Sequence, residues 1–208
     1  MAQVRMSQVE PHFVIFSDNE NAYNATENAL RQIKSGPNGM NLIQHIVQQQ
    51  TNEKYVQING SYAPEMENFT TPRLTQSQMN QFNGRLRPDN MAYHQEAFTR
   101  AGNGEGVRAE INFHPMKSID VDPKGKPSEG INPLQSFVCL GHELVHAYHM
   151  IKGDKFGTDP TLSPREDGEH YKEELRAVGF HSYSDNPLSE NGIRADHNLP
   201  IRKGYFPG

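Results

Sequence analysis

The chain has 208 residues, a formal net charge of −5 and a single cysteine, Cys139. Hydrophobic residues make up 34% and the mean hydropathy is −0.80, so the core is modest, loops are extensive, and no apolar run approaches membrane-spanning length. The longest basic cluster is the pair Arg202–Lys203, which makes nucleic acid and anionic membrane poor partners, and a lone cysteine forms no internal disulfide, so the fold must hold in a reducing compartment.

Residues 1–12 are polar and mixed and read as a flexible arm. They lack the apolar h-region of an ordinary secretory signal. FVIF (13–16) reads as a short buried strand. ATENALRQIKS (25–35) reads as a helix that ends before Gly36-Pro37, a break that Asn38-Gly39 prolongs. NLIQHIVQQQ (41–50) reads as a second helix, with Leu42, Ile43 and Ile46 on one stripe. KYVQIN (54–59) alternates like a strand. Residues 60–104 are rich in Asn, Gln, Pro and Gly; long ordered loops are expected there, with one helix near 75–83. In GVRAEINF (106–113), Val107, Ala109, Ile111 and Phe113 alternate with polar neighbours, which makes this the clearest strand. DPKGKPSEG (122–130) is a turn-rich connector.

The best-marked helix follows. Asn132 suits the N-cap and Pro133 the first helical position. Lys152 falls in the last turn and Gly153 can close it. Between them, LQSFVCLGHELVHAYHMI carries one charge, Glu143, if the histidines are neutral. A helix apolar nearly all round is central and buried. A polar loop, a helix over about 169–181 and a tail rich in turns complete the chain. There is no internal repeat, and residues 13–208 read as one domain.

Within the central helix, His142 and His146 lie four apart, on one face, where both imidazoles can reach one ion. Glu143, one step round, can reach a water without taking a ligand position. That is the H-E-x-x-H arrangement, with the glutamate as general base. Histidines and a glutamate on an apolar helix are costly unless something compensates them, and a metal does so. His149 lies about 10 Å further along the axis, too far to share the ion. Cys139 reads as a small buried hydrophobe. The longer H-E-x-x-H-x-x-G-x-x-H signature fails at His149 and Lys152, so a third ligand must come from elsewhere. On a helix through HYKEELRAVGF (170–180), Glu174 shares a face with Tyr171, Ala177 and Val178, the side expected to pack inward, and is the expected ligand. Glu173 sits nearer the rim and can steady a ligand histidine. Asp154, Asp159, Glu166, Asp167 and Glu169 also lie downstream, on a segment with no helical face to aim them.

HELVHAYH (142–149) followed by EELRAVGF (173–180) resembles the zinc-peptidase clan in which the second glutamate of an E-E-L-R-type segment completes the site; clostridial neurotoxin light chains have similar short motifs. The tail SENGIRADHNLPIRKGY (189–205) resembles the NleD family of bacterial type III effector metalloproteases, and the likeness covers about residues 105–205. The resemblance implies a compact zincin-like α+β fold, with a small sheet over the H-E-x-x-H helix and a helical lower part, and Zn²⁺ as cofactor. It also implies export through a type III system from a signal in the first residues, action in the host cytosol, and cleavage of stress-activated MAP kinases. A monomer is expected.

The leading expectation is therefore a zinc endopeptidase. The strand at 106–113 should lie at the sheet edge above the cleft, where an extended substrate can add as a further strand. Arg202 and Tyr205, three apart in IRKGY, are the expected donors to the carbonyl oxygen as it gains charge, with Arg194, His181 and Tyr183 as substitutes. Two other readings stay open. One is a zinc hydrolase of a non-protein amide, such as a deformylase or amidase; deformylases use a cysteine ligand, for which Cys139 is badly placed. A binding module with a structural zinc needs four protein ligands.

Overall fold

The computed structural model describes residues 3–165 and 167–205. Five strands, β1 (Gln3–Met6), β2 (Val14–Ser17), β3 (Val56–Gly60), β4 (Phe69–Arg73) and β5 (Arg108–Phe113), form one sheet in the order β1-β2-β3-β5-β4. The inner three are parallel; β1 and β4 close the two edges in antiparallel pairing. Alternation decides which face is buried. Val56 and Ile58 of β3 and Ala109, Ile111 and Phe113 of β5 point one way and are fully buried, each large one stabilising the core by about 1.5–3 kcal/mol. The opposite face is polar, and Asn59 Nδ2 donates to Asn112 Oδ1 at 3.0 Å across the strands.

The helices are α1 (Glu20–Ser35), α2 (Pro37–Gln49), α3 (Gln76–Asn80), α4 (Met91–Gly102), α5 (Ser136–Lys152), α6 (Gly168–Val178) and α7 (Glu190–Asp196). The central one is α5, which packs against β5, α1, α2 and α7. Nearly all of its residues are buried, as its unbroken apolar character requires. Gly153 ends it in the left-handed conformation, at φ 89°. A separate antiparallel hairpin, β6 (Lys117–Val121) and β7 (Pro127–Ile131), leads into it. The architecture is α+β, with the sheet against the H-E-x-x-H helix.

Several expectations are corrected. β5 is not the edge strand: β4 covers it, pairing Phe69 with Asn112 through Arg73 with Arg108. β4 was hidden in the segment expected to be loop, because its Pro72 argues against a central strand but is tolerated at an edge. The same segment holds α4 as well as the short α3, whose Thr75–Gln78 capping box is complete. The described part of the N-terminal arm is not free. Residues 3–6 are β1, and Glu27 accepts from Gln8 N at 2.7 Å and from Ser7 Oγ at 3.0 Å. The break at Gly36–Gly39 is instead the first turn of α2, with Pro37 at its start and the Asp196 carboxylate accepting from the N–H groups of Asn38 and Gly39 at 2.9 and 3.0 Å. The connector at 122–130 is the hairpin's turn and second strand. α5 begins at Ser136, not Pro133; Asn132 Oδ1 accepts from Leu134 N at 3.2 Å in the turn between β7 and the helix.

Candidate active site

The buried face of α5 and one turn of α6 bring three donor atoms together. His142 Nε2 and His146 Nε2 stand 3.1 Å apart. Glu174 Oε2 lies 3.1 Å from the first and 3.3 Å from the second. α6 is aimed by its ends: Asp167 Oδ1 accepts from Glu169 N at 3.0 Å at the start, and Gly179 closes it at φ 76°. The burial expected of the two glutamates is reversed. Glu173 is 2% exposed and packs behind the site with Arg176, while Glu174 is partly open and meets His142, which lines a cleft.

Each imidazole has a carboxylate behind it. His142 Nδ1 lies 3.0 Å from Glu190 Oε2, and His146 Nδ1 lies 3.2 Å from Glu173 Oε1. Glu190 is fixed from the other side by Arg194 Nε at 2.8 Å and Arg202 Nη1 at 2.8 Å. Burial raises the Glu190 carboxyl, but Arg202, His142 and Arg194 outweigh it and hold it well below the usual range. Burial likewise raises Glu173, but His146 and Arg176 bring it down to about 2. Both groups are therefore anionic acceptors. An ionised carboxylate accepts only, so each Nδ1 must be the N–H. In the neutral tautomer this leaves both Nε2 lone pairs converging on each other and on the Glu174 carboxylate.

Three converging lone pairs need a cation between them. Protons can fill the role: burial lowers the His142 imidazolium, but Glu174 and Glu190 push its pKa up to about 9. A metal ion would also fill it. Bonds of about 2.0–2.1 Å to tetrahedral ligands separate neighbouring donors by about 3.3 Å, close to the three distances here. His142, His146 and Glu174 form the only His/Cys/Asp/Glu group among the described residues whose ligand atoms could hold a metal.

Glu143 faces the cleft beside this cluster and is 7% exposed. Burial raises its pKa above the ordinary carboxylate value. Thr70 Oγ1, on the edge strand β4, lies 2.8 Å from Glu143 Oε2. The cleft, of about 640 Å³, is walled by the β6–β7 hairpin and the 163–165 loop, and Tyr205 lies against it.

The match to known families now bears on this geometry. The peptidase M91 family, described as effector protein, matches residues 13–205.

The chain belongs to that family.

Comparison with curated proteins finds no match. Among solved structures, the chain is similar to the botulinum neurotoxin type G light chain, at 13% identity and a TM-score of 0.47 over 89% of this chain and 55% of that one. It is similar to the catalytic domain of Clostridium botulinum neurotoxin serotype F, at 13% identity and 0.48 over 89% and 67%. It is also similar to the serotype HA light chain, at 17% identity and 0.43 over 64% and 35%. The chain thus spans between about a third and two thirds of the length of these structures.

In this M91 peptidase the sequence-predicted residues divide by place. His142, His146 and Glu174 meet; Glu143 flanks them; Tyr205 reaches the same cleft. Burial, then the Glu174 and Glu143 carboxylates, raise the Tyr205 phenol so that it stays protonated. Arg202 also touches the cleft, but it is 4% exposed and its guanidinium is engaged with Glu190 and with the carbonyl oxygens of Gly204 and Tyr205. Arg194 is fully buried on Glu190, and His181 sits in an exposed 3-10 turn with Ser182 and Tyr183. Cys139 lines the cleft but is outside the donor group. Burial, then Glu190, push its thiol up to about 12, so the thiolate a metal requires is disfavoured. His149 bonds Asp154 at 2.6 Å. Glu166 lies outside the described residues.

Two contributors were missed from sequence, Glu190 and Thr70. Glu190 had a signal: Ser189 is an N-cap residue, and Glu190 and Arg194 are a four-residue acid–base pair. The two helices come close at Gly141, where a Cβ would lie 2.4 Å from Ile193 Cδ1 of α7. Thr70 carried no signal beyond a β-branched pair in an unassigned segment.

Proposed function

We propose that this M91 effector is a zinc endopeptidase that acts in the cytosol of a host cell after type III delivery, with stress-activated MAP kinases as substrates. The convergence of His142 Nε2, His146 Nε2 and Glu174 Oε2 beside Glu143 carries the catalytic part of the reading. The kinase and the delivery route rest on the likeness of the 142–205 motifs to the NleD family.

His142, His146 and Glu174 would hold the ion. Zinc, when bound, supplies Lewis acidity toward the scissile carbonyl and brings the pKa of a water toward about 7. Glu143 takes a proton from the attacking water and later gives it to the departing amine. Its burial-raised pKa suits both halves of that exchange. The Tyr205 phenol, kept protonated by burial and by its carboxylate neighbours, donates to the carbonyl oxygen as charge builds. Arg202 acts one step back, holding Glu190 and through it the His142 ring. An extended substrate would lie along the open edge of β4, not of β5.

The test is to incubate the purified protein with host-cell lysate, with and without a zinc chelator, and to map new peptide termini. New termini in the activation loop of stress-activated kinases, lost with chelator and lost with Glu143→Ala while zinc stays bound, are expected. Cleavage that survives chelation, or a Glu143→Ala protein without zinc, would overturn the reading.

A further inference from the structure

We infer that Thr70 is a positioning residue for the base: its hydroxyl orients the Glu143 carboxylate and ties it to the edge strand along which a substrate docks. The inference rests on the peptidase reading above. Thr70 Oγ1 lies 2.8 Å from Glu143 Oε2 and 3.0 Å from the Glu143 backbone oxygen. A hydroxyl carries one proton, so it serves one of these acceptors at a time, and both belong to residue 143. When it donates to Oε2, it lowers the basicity of that oxygen, so Oε1 is the readier to take the proton.

The strand does not depend on this bond. β4 is held by five paired positions with β5 and by the Arg73–Glu110 ion pair at 2.9 Å. The hydroxyl is therefore free to act on the base instead. Its aim is restricted, because a β-branched side chain has few χ1 choices and Thr70 shares its strand face with the buried Pro72. A general base works only from the right geometry, and a displacement of about 1 Å can cost about 10²-fold in rate. Thr70 is thus the point where the docking strand and the proton-transfer group share a bond.

Two measurements decide it. In crystal structures of metal-free Thr70→Val and Thr70→Ser, the serine protein should keep the parental Glu143 rotamer and the valine protein should lose it. On a purified stress-activated MAP kinase, Thr70→Val should lower kcat by about 10- to 100-fold, with KM and zinc content within twofold, and Thr70→Ser should recover most of the loss. If the valine protein folds poorly, comparison of Thr70→Ala with Thr70→Ser isolates the hydroxyl in the same assays. An unchanged Glu143 rotamer in the valine or alanine protein, full kcat without the hydroxyl, or a loss confined to KM would overturn the inference. A zinc-loaded parental protein that cuts no kinase would instead overturn the proposed function, and the rotamer comparison would still decide whether Thr70 orients Glu143.

Discussion

Glu190 stands behind His142, its Oε2 3.0 Å from Nδ1 across 48 residues of chain. The carboxylate is in turn clasped by Arg194 and Arg202. Two helices and the tail therefore converge on the direction of one imidazole lone pair. Because the ring is fixed through its Nδ1, the site's geometry belongs to α7 and the tail as much as to the H-E-x-x-H helix.

Glu190→Gln should weaken zinc binding by about 10–100-fold. The amide keeps an acceptor for Nδ1 but removes the charge that two buried guanidiniums face. The melting temperature should fall as well, since an uncompensated buried charge is costly. Competition with a chromophoric chelator measures the first effect and thermal unfolding the second. Parental zinc affinity in the glutamine protein would show that His142 needs no such support.

The neighbouring glutamates on α6 should separate by role. Glu174→Ala removes one of the three convergent donors, so zinc binding should be severely weakened. Glu173→Ala leaves the donors in place and should cost about 10–100-fold through His146. Zinc content after dialysis against graded chelator ranks the two, and the reverse order would mean that α6 presents the other residue to the ion.

The layout of this candidate site was more legible than its scaffold. His142, Glu143 and His146 are bound by helical spacing, which is local, and the apolar stretch around them could only be a buried helix. Glu174 was picked out by helical phase, although the face that phase assigned to the core turned out to be the cleft side. β4 was not legible, because an edge strand is defined by the partner it covers and its Pro72 suppresses the strand pattern. Glu190 and Thr70 were not legible as site residues for a related reason. Each acts through a contact between distant segments, of 48 and 73 residues separation, and no local period encodes such a contact. Arg202 was found as a motif residue, and only packing shows that its guanidinium turns toward Glu190.

Acid stability should depend on Glu10. Burial raises its carboxyl, but hydrogen bonds from Lys34 and His12 outweigh burial and hold it below the ordinary value; Lys34 Nζ is 2.9 Å away. A carboxyl depressed in the folded state stabilises it above the unfolded pKa of about 4.3. That contribution is lost as pH falls through the folded value. Glu10→Gln should therefore melt lower than the parent at pH 7, and the gap should close as pH falls below about 4.3. Melting temperatures measured from pH 7 to pH 3 check this; a gap that stays constant would mean that Glu10 does not act through its charge.

Tyr205 and Arg202 sit three apart but should fail in different ways. The Tyr205 ring is held in place by the Arg202 guanidinium, 5.4 Å from its centroid, and by Tyr171 in a T-shaped contact at 6.3 Å. Its ring therefore need not move far as the phenol turns from the Glu174 carboxylate, its hydrogen-bond partner here, to a developing oxyanion. Tyr205→Phe keeps the ring and loses only the donor, so kcat should fall by about 10²-fold or more while KM and zinc content barely change. Arg202→Ala removes one of the two guanidiniums on Glu190, so it should also weaken zinc through His142. Truncation after Leu199 combines the two losses. From the sequence, that truncation should abolish cleavage and leave the metal bound; with Arg202 seated on Glu190, it should abolish cleavage and weaken zinc as well. Zinc affinity and single-turnover rates measured on the three proteins separate these effects. If the truncated protein binds zinc as the parent does and Tyr205→Phe retains full kcat, the tail is neither donor nor support.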